Sequence, residues 1–200
     1  MTDRIPQRLD DLLARLTLTE KLGLLHQWQA PVPRLGLPSF RTGTEALHGV
    51  PATVFPQVVG LAATSSDLPP RVLHEYEFPA FRAPLEADAA VAVMVSYNRV
   101  NGVPAHLSPL IEDELRAWAD DEILVVDDAG AVGNIAGVQG HLPDHVEGFA
   151  AALRAGIDSF TEDDRDGTPT VERLTAALHR GLISESEVDR AVRRPPKAGR

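Results

Sequence analysis

The stretches AVAVMVSYN (residues 90–98) and ILVVDD (residues 123–128) decide the fold. Each contains a continuous apolar run of strand length that ends abruptly in polar residues, without the alternation of a strand that has one face in water. We therefore expect two strands that are buried on both faces, and a third short strand at residues 157–160 (IDSF). Helical patterns separate and follow these strands, which is typical of a parallel sheet with helical crossovers.

The remaining chain is predicted to be helix and loop. Residues 31–56 are rich in Pro and Gly and indicate a loop with at most a short strand near residues 42–47. Residues 54–63 are apolar enough for a buried helix or strand, and periodicity does not separate the two. Helices are predicted at 9–16, at 17–27 with a capping box, at 70–87 with interruptions at Pro79 and Pro84, at 108–118, at 144–154, at 170–180 and from Ser184 onward.

Composition and charge exclude several classes of function. The chain has 200 residues, a net charge of −10 and an isoelectric point near 5.1. We therefore expect no binding to nucleic acid or to an anionic membrane surface. Cysteine is absent, so disulfides, thiolate zinc sites and a cysteine nucleophile are excluded. With no apolar run of spanning length and no signal-peptide pattern, we expect a soluble, cytoplasmic protein.

Candidate functional residues follow the predicted strands, because chemistry in such folds gathers at the carboxyl ends of strands. Of Asp127 and Asp128, only one can face a barrel mouth, and the alternative role of such a pair is to cap the next loop. Tyr97 is a substrate contact or a core aromatic with a hydrogen-bonded hydroxyl. The acidic segment 161–166 lacks the spacing of a calcium loop and is interpreted as solvated.

Several motifs, in this order along the chain, resemble glycoside hydrolase family 3, the β-glucosidase and β-xylosidase family. The segment VMVSYNRVNG is nearly a family signature, and VVDDAGA resembles the family's nucleophile motif, in which Ser usually precedes the Asp. The amino-acid sequence around Glu45 and His48 favours the β-xylosidase branch of the family. The matching segments are LTLTEK (16–21), PRLGLP (33–38), TEALHGV (44–50), ATVFPQ (52–57), VMVSYNRVNG (93–102) and VVDDAGA (125–131).

The resemblance implies an α/β fold: an incomplete (β/α)8 TIM-barrel-like domain with mainly parallel strands and four or five of the eight strands. A complete barrel takes about 250 residues, which is more than this chain has. We expect one partial domain over residues 1–200, composed of an N-terminal segment (1–64), the C-terminal half of the barrel (65–194) and a tail (195–200).

The resemblance also implies roles for individual residues. Asp128 aligns with the catalytic nucleophile of a retaining glycosidase. Glu45 and Tyr97 align with substrate-binding residues, and His48 with a residue that braces the loop of Glu45. Asp127 stands where the family usually has Ser, and a second carboxylate turned toward Asp128 would weaken the nucleophile. The implied substrate is a small carbohydrate, a terminal β-linked glucose or xylose, and neither a metal nor an organic cofactor is implied.

Elements that the family needs are missing from the sequence. The Arg-Trp-Gly-Arg and Lys-His-Phe elements that bind the sugar do not occur, and their flanks join near Thr64. No residue aligns with the acid/base. We therefore expect a chain that is inactive or nearly so by itself, and that self-associates or needs a completing partner chain. The alternatives are a catalytically silent sugar-binding or fragmentary family member, and an unrelated α/β binding domain.

Overall fold

The computed structural model describes residues 4–41, 68–119, 123–162 and 165–194, with only the backbone described for residues 4–7. The strand predicted near residues 42–47 and the apolar segment 54–63 lie outside the described residues, as do Glu45 and His48. Among the described residues, no helix is both long and apolar enough to cross a lipid bilayer.

The N-terminal region forms two helices and a small antiparallel ladder. Helix α1 spans Arg4–Arg15, and helix α2 spans Leu18–Leu24. The predicted capping box is confirmed, because the Thr17 hydroxyl accepts the Glu20 amide at 3.3 Å and the Glu20 carboxylate accepts the Thr17 amide at 2.8 Å. Helix α2 ends earlier than predicted, since His26 already pairs with a distant strand segment. Strands β1 (Trp28–Gln29) and β2 (Phe40–Arg41) then pair antiparallel.

The predicted helix at residues 70–87 is divided at Pro79, as predicted, whereas the interruption predicted at Pro84 is wrong, because Pro84 lies inside the helix Pro79–Glu86. Helix α3 (Pro70–Val72) continues into a wider helical turn at Leu73–Glu77, and helix α4 spans Pro79–Glu86. Pro79 has no amide proton to donate, so it stands at the start of α4, where no partner is needed. The segment leads into strand β3.

Strand β3 spans Ala92–Val95 and is followed by a hairpin of β4 (Arg99–Val100) and β5 (Val103–Pro104). The hairpin turn has positive φ at both Asn101 (50°) and Gly102 (81°), the conformation that Asn-Gly pairs adopt readily.

The helix predicted at residues 108–118 is confirmed only as an irregular one. A π-helical turn spans Ile111–Leu115, and a 3₁₀ turn spans Ala117–Ala119. Between these turns, the buried Arg116 side chain donates to the Ile123 carbonyl at 3.1 Å and to the Asp158 carboxylate at 2.9 Å. We attribute the irregular backbone to these tertiary hydrogen bonds, which outweigh local helix propensity.

Strand β6 (Leu124–Asp127) pairs parallel with β3, and Val95 lies opposite Asp127. The sheet continues through the predicted third strand, because Ser159 pairs parallel with Val126 and Phe160 with His26. Four parallel segments therefore lie side by side, in the order 92–95, 124–127, 159–160 and 26. Helices α5 (Ala131–Ala136), α6 (His145–Arg154), α7 (Thr168–His179) and α8 (Glu185–Val192) follow β6 in the chain.

The main core lies between the sheet and the helices. Phe149 of α6 stacks on Phe160 at 5.1 Å between ring centroids, and both side chains are fully buried together with Val125. Leu124 and Val126 face the opposite side of β6, because side chains alternate along a strand. The parallel register places Ala92 and Met94 of β3 on that same face. Both are exposed, Met94 to 46%. The prediction that β3 is buried on both faces is therefore wrong, because this side of the sheet is open next to β3, whereas β6 is buried throughout.

Candidate active site

The carboxyl ends of β3 and β6 bring two predicted site residues to one edge of the sheet. Because Val95 lies opposite Asp127 in a parallel pair, the residues that follow each strand leave the sheet on the same side. Tyr97 and Asp128 therefore lie at the same end, as the sequence predicts. The Tyr97 hydroxyl donates a hydrogen bond of 2.7 Å to the carbonyl of Ala129, the residue next to Asp128.

Asp128 stands at the start of a sharp turn between β6 and α5. Its carboxylate accepts the Ala129 amide at 2.7 Å, and its carbonyl accepts the Ala131 amide at 2.9 Å. Gly130 has a φ of 71°, a left-handed conformation that costs glycine little. The turn leaves the Asp128 side chain only partly buried, so the carboxylate can meet a ligand at this edge.

The Tyr97 hydroxyl is held in its protonated form. Partial burial, together with the negative charge of the nearby Asp128 carboxylate, raises the pKa of Tyr97 to about 12. The phenol is therefore a hydrogen-bond donor beside a carboxylate throughout the neutral range.

Asp127 is turned away from Asp128. It is fully buried, and its carboxyl group accepts the Thr161 amide. Burial raises its pKa well above the usual range, and the nearby charge of Glu162 adds to the shift. Both effects favour the uncharged acid at Asp127. The carboxyl group of Asp127 therefore lies on the face opposite to that of Asp128, because successive strand residues point to opposite sides.

The interpretation of residues 161–166 as a solvated loop is wrong for Glu162. This side chain is 6% exposed and accepts the Gly133 amide of α5 at 3.0 Å. Arg173 of α7 lies 4.0 Å from the same carboxylate. Glu162 therefore connects the end of the third strand to two helices, a role that only tertiary contacts reveal. Among the described residues, no group of three His, Asp or Glu side chains is placed to hold a metal ion.

His106 belongs to this region and is a residue that sequence reasoning missed. It lies in the 3₁₀ turn Ala105–Leu107 after β5 and is 2% exposed. Burial lowers its pKa to about 4, against the opposing influence of the Asp128 charge and the Val95 carbonyl. Its Nε2 atom is buried and has no hydrogen-bond partner in the described part of the chain. A neutral imidazole thus lies near Asp128. The sequence did not indicate this, because His106 is a single histidine outside any recognised motif.

The ionisation of Tyr97 provides a direct test of its contact with Asp128. In a Tyr76→Phe variant, Tyr97 is the only tyrosine, and its absorbance change near 295 nm should have a midpoint near pH 12. Asp128→Asn removes the negative charge that disfavours the phenolate, so it should shift this midpoint toward the ordinary value of about 10. An unchanged midpoint in the Asp128→Asn variant would contradict the contact.

A parallel sheet packed against helices, with a carboxylate at the carboxyl edge of its strands, defines an α/β protein of the barrel type. The model of the "Glycosyl hydrolase family 3 N terminal domain" matches residues 60–196, more than half of the chain. The chain therefore belongs to glycoside hydrolase family 3, as its motifs predict. The match lies within the N-terminal domain of that family, so the observed sheet is part of an incomplete (β/α)8 barrel with mainly parallel strands.

Curated relatives and solved structures agree with this family. A probable exo-1,4-β-xylosidase of Aspergillus terreus is 33% identical over 124 residues, which cover 60% of this chain and 16% of that protein. Probable β-D-xylosidase 6 of Arabidopsis thaliana is 32% identical over 114 residues, or 57% of this chain and 14% of that protein. This chain thus spans about one sixth of the length of these relatives.

Two solved structures illustrate the likeness in three dimensions. A β-glucosidase involved in saponin metabolism from intestinal bacteria has a TM-score of 0.57 and 28% identity, covering 64% of this chain and 16% of that chain. A family 3 exo-β-xylosidase, solved with a xylobiose aziridine activity-based probe, has a TM-score of 0.77 over 94% of this chain and 39% of that chain. Its identity is 19%, so this second likeness concerns the fold alone.

Proposed function

We propose that this chain carries the nucleophile half of a retaining β-glycosidase site, with Asp128 as the nucleophile and a terminal β-linked xylose or glucose as the substrate. The observation that carries the proposal is the pairing of Asp128 with the Tyr97 hydroxyl at the carboxyl edge of β3 and β6. A partly exposed carboxylate at this edge can attack an anomeric carbon. The Tyr97 hydroxyl, which donates to the Ala129 carbonyl, holds the turn that presents Asp128.

The proposal assigns no acid/base residue. A retaining glycosidase needs a second carboxyl-type group about 5–5.5 Å from the first. Asp127 and Glu162 are buried and bind the Thr161 and Gly133 amides on the other side of β6. His106 has a pKa of about 4, so it is not protonated at neutral pH and cannot serve as an acid there. These features favour the second candidate, a catalytically silent family member, for the chain acting alone.

The same proposal includes a second polypeptide chain that completes the barrel. Ala92 and Met94 would face the interior of a closed barrel, yet both are exposed. A second copy of this chain, or another polypeptide that supplies further strands, would cover this face and could bring an acid/base residue. Glu45, outside the described residues, remains a proposed contact to sugar hydroxyls.

Covalent labelling tests the nucleophile without an acid. In 2,4-dinitrophenyl 2-deoxy-2-fluoro-β-xyloside, the leaving group needs no protonation. An Asp128 oxygen would bond to the anomeric carbon, and dinitrophenolate would leave with the electron pair of the broken bond. We expect a mass increase of one fluoroxylosyl group, mapped to Asp128 by peptide mass spectrometry.

Two variants sharpen this labelling experiment. Asp128→Asn should abolish the adduct. Asp127→Asn replaces a carboxyl that is buried on the other side of β6, so this variant should still be labelled. An adduct on another residue, or an equal adduct in Asp128→Asn, would refute the assignment of the nucleophile. Absence of any adduct would favour the silent sugar-binding candidate.

A further inference from the structure

Trp28 forms an unusual cluster with two arginines. The guanidinium carbon of Arg41, the residue opposite Trp28 in the β1–β2 pair, lies 4.3 Å from the indole ring centroid. The guanidinium carbon of Arg165 lies 4.9 Å from the same centroid. The indole Nε1 is buried and has no acceptor among the described residues. The cluster therefore consists of hydrogen-bond donors only.

The strand order places this cluster on the same edge of the sheet as Asp128. His26 pairs parallel with Phe160, and Ser159 pairs parallel with Val126. Trp28, Arg165 and Asp128 each follow one of these three neighbouring segments in the direction of the chain. Neighbouring strands lie about 4.8 Å apart, so the cluster is on the order of 10 Å across the edge from Asp128. A disaccharide can span such a distance.

Nearby carboxylates are engaged elsewhere. Asp166 accepts the Thr168 amide at 3.0 Å, which lowers its pKa. Glu162 accepts the Gly133 amide and faces Arg173. Within the described residues, neither Arg41 nor Arg165 forms an ion pair, whereas arginines of the helices such as Arg180 do. In a chain of net charge −10, two cations on one ring, with no ion-pair partner among the described carboxylates, favour an anionic ligand.

We propose that Trp28, Arg41 and Arg165 form a subsite for a carboxylate-bearing sugar, a uronic acid unit next to the sugar that Asp128 would attack. The inference rests on the proposed function in taking the ligand to be a glycoside. Guanidinium groups match a carboxylate with paired N–H donors, and the indole ring packs against both of them. A neutral xylose unit would leave both cations without a counter-charge from the part of the chain that the structure describes.

The chain has two tryptophans, Trp28 and Trp118, so a Trp118→Phe variant makes Trp28 the only indole reporter. Trp118 packs on Phe78 at 5.1 Å, outside the cluster. We expect methyl β-glucuronide to change the Trp28 fluorescence saturably, while methyl β-xyloside and acetate at equal concentrations do not. No change with the glucuronide would overturn the proposal. An equal response to acetate, an adventitious anion only, or to the xyloside would also overturn it.

Charge-neutralising variants locate the binding. In the Trp118→Phe background, Arg41→Gln and Arg165→Gln should each weaken glucuronide binding at least about tenfold, as expected for the loss of a charged hydrogen-bond partner. Arg71→Gln, at an exposed arginine that pairs with Glu75, should leave it unchanged. Unaltered binding in both cluster variants would overturn the assignment. The labelling of Asp128 uses a neutral xyloside, so either experiment can fail while the other succeeds.

Discussion

The purified chain should hydrolyse nitrophenyl β-xyloside and nitrophenyl β-glucoside only at trace rates. General acid catalysis contributes about 10²–10⁴-fold, and the described residues near Asp128 offer no group to provide it at neutral pH. The loss of sugar-binding Lys-His and Arg elements removes further transition-state hydrogen bonds. We therefore expect turnover at least 10²–10⁴-fold below that of an intact family member, measured by nitrophenolate release.

The control for this prediction is Asp128→Asn. Nitrophenolate leaves with little help from an acid, so a residual rate that depends on Asp128 agrees with the proposed nucleophile. Background rates in both proteins would agree with the silent alternative. Turnover comparable to that of an intact enzyme, lost in the variant, would contradict the expectation and would mean that the chain has an acid/base.

Replacing Asp158 should have the largest effect on stability. Its carboxylate is almost fully buried and accepts hydrogen bonds from Arg116 at 2.9 Å and from the Val125 amide at 3.0 Å. Asp158→Ala removes the carboxylate that faces a guanidinium with 3% exposure and leaves a strand amide without its acceptor. Such changes cost about 3–5 kcal/mol of unfolding free energy. Because small domains have about 5–15 kcal/mol in total, the variant should be largely destabilised.

Urea denaturation followed by far-ultraviolet circular dichroism measures this effect. Asp158→Asn keeps an acceptor for the Val125 amide, so it should lower the free energy of unfolding less than Asp158→Ala does. Asp10→Ala is the matched surface control, since Asp10 pairs with Arg193 at 2.6 Å with both side chains about half exposed. Asp10→Ala should lower the free energy of unfolding by less than about 1 kcal/mol. An equally small loss for Asp158→Ala would show that the buried pair contributes little.

Much of the local structure follows from the sequence. The apolar runs that contain β3 and β6, the caps at Thr17 and Ser184, and the division of the helix at Pro79 were all predicted and are observed. These features depend on neighbouring residues, such as a hydroxyl that accepts an amide one turn away. The irregularity of the helix predicted from Ser108 was not foreseen, because Arg116 donates hydrogen bonds in the core to groups about 40 residues away along the chain.

Some features of the candidate site could likewise be predicted from the sequence, and others could not. Asp128 and Tyr97 could be nominated from motif resemblance, and their common edge follows from the parallel order of the strands. The burial of Asp127 and Glu162, the neutral His106 beside Asp128 and the two arginines on Trp28 had no pattern in the sequence. Each of these depends on side chains that the chain brings together from separate segments.

By itself, the sequence determined the α/β class, the family and the identity of the candidate nucleophile. Motifs and strand patterns depend on residues that are close along the chain, so they can be recognised in the sequence. Only the tertiary structure decided that Asp128 stays partly exposed at the strand edge, whereas Asp127 is buried and its pKa is raised. The physical reason is that charge state depends on burial and on nearby charges, and both arise only when Thr161, Glu162 and α5 pack against the end of β6.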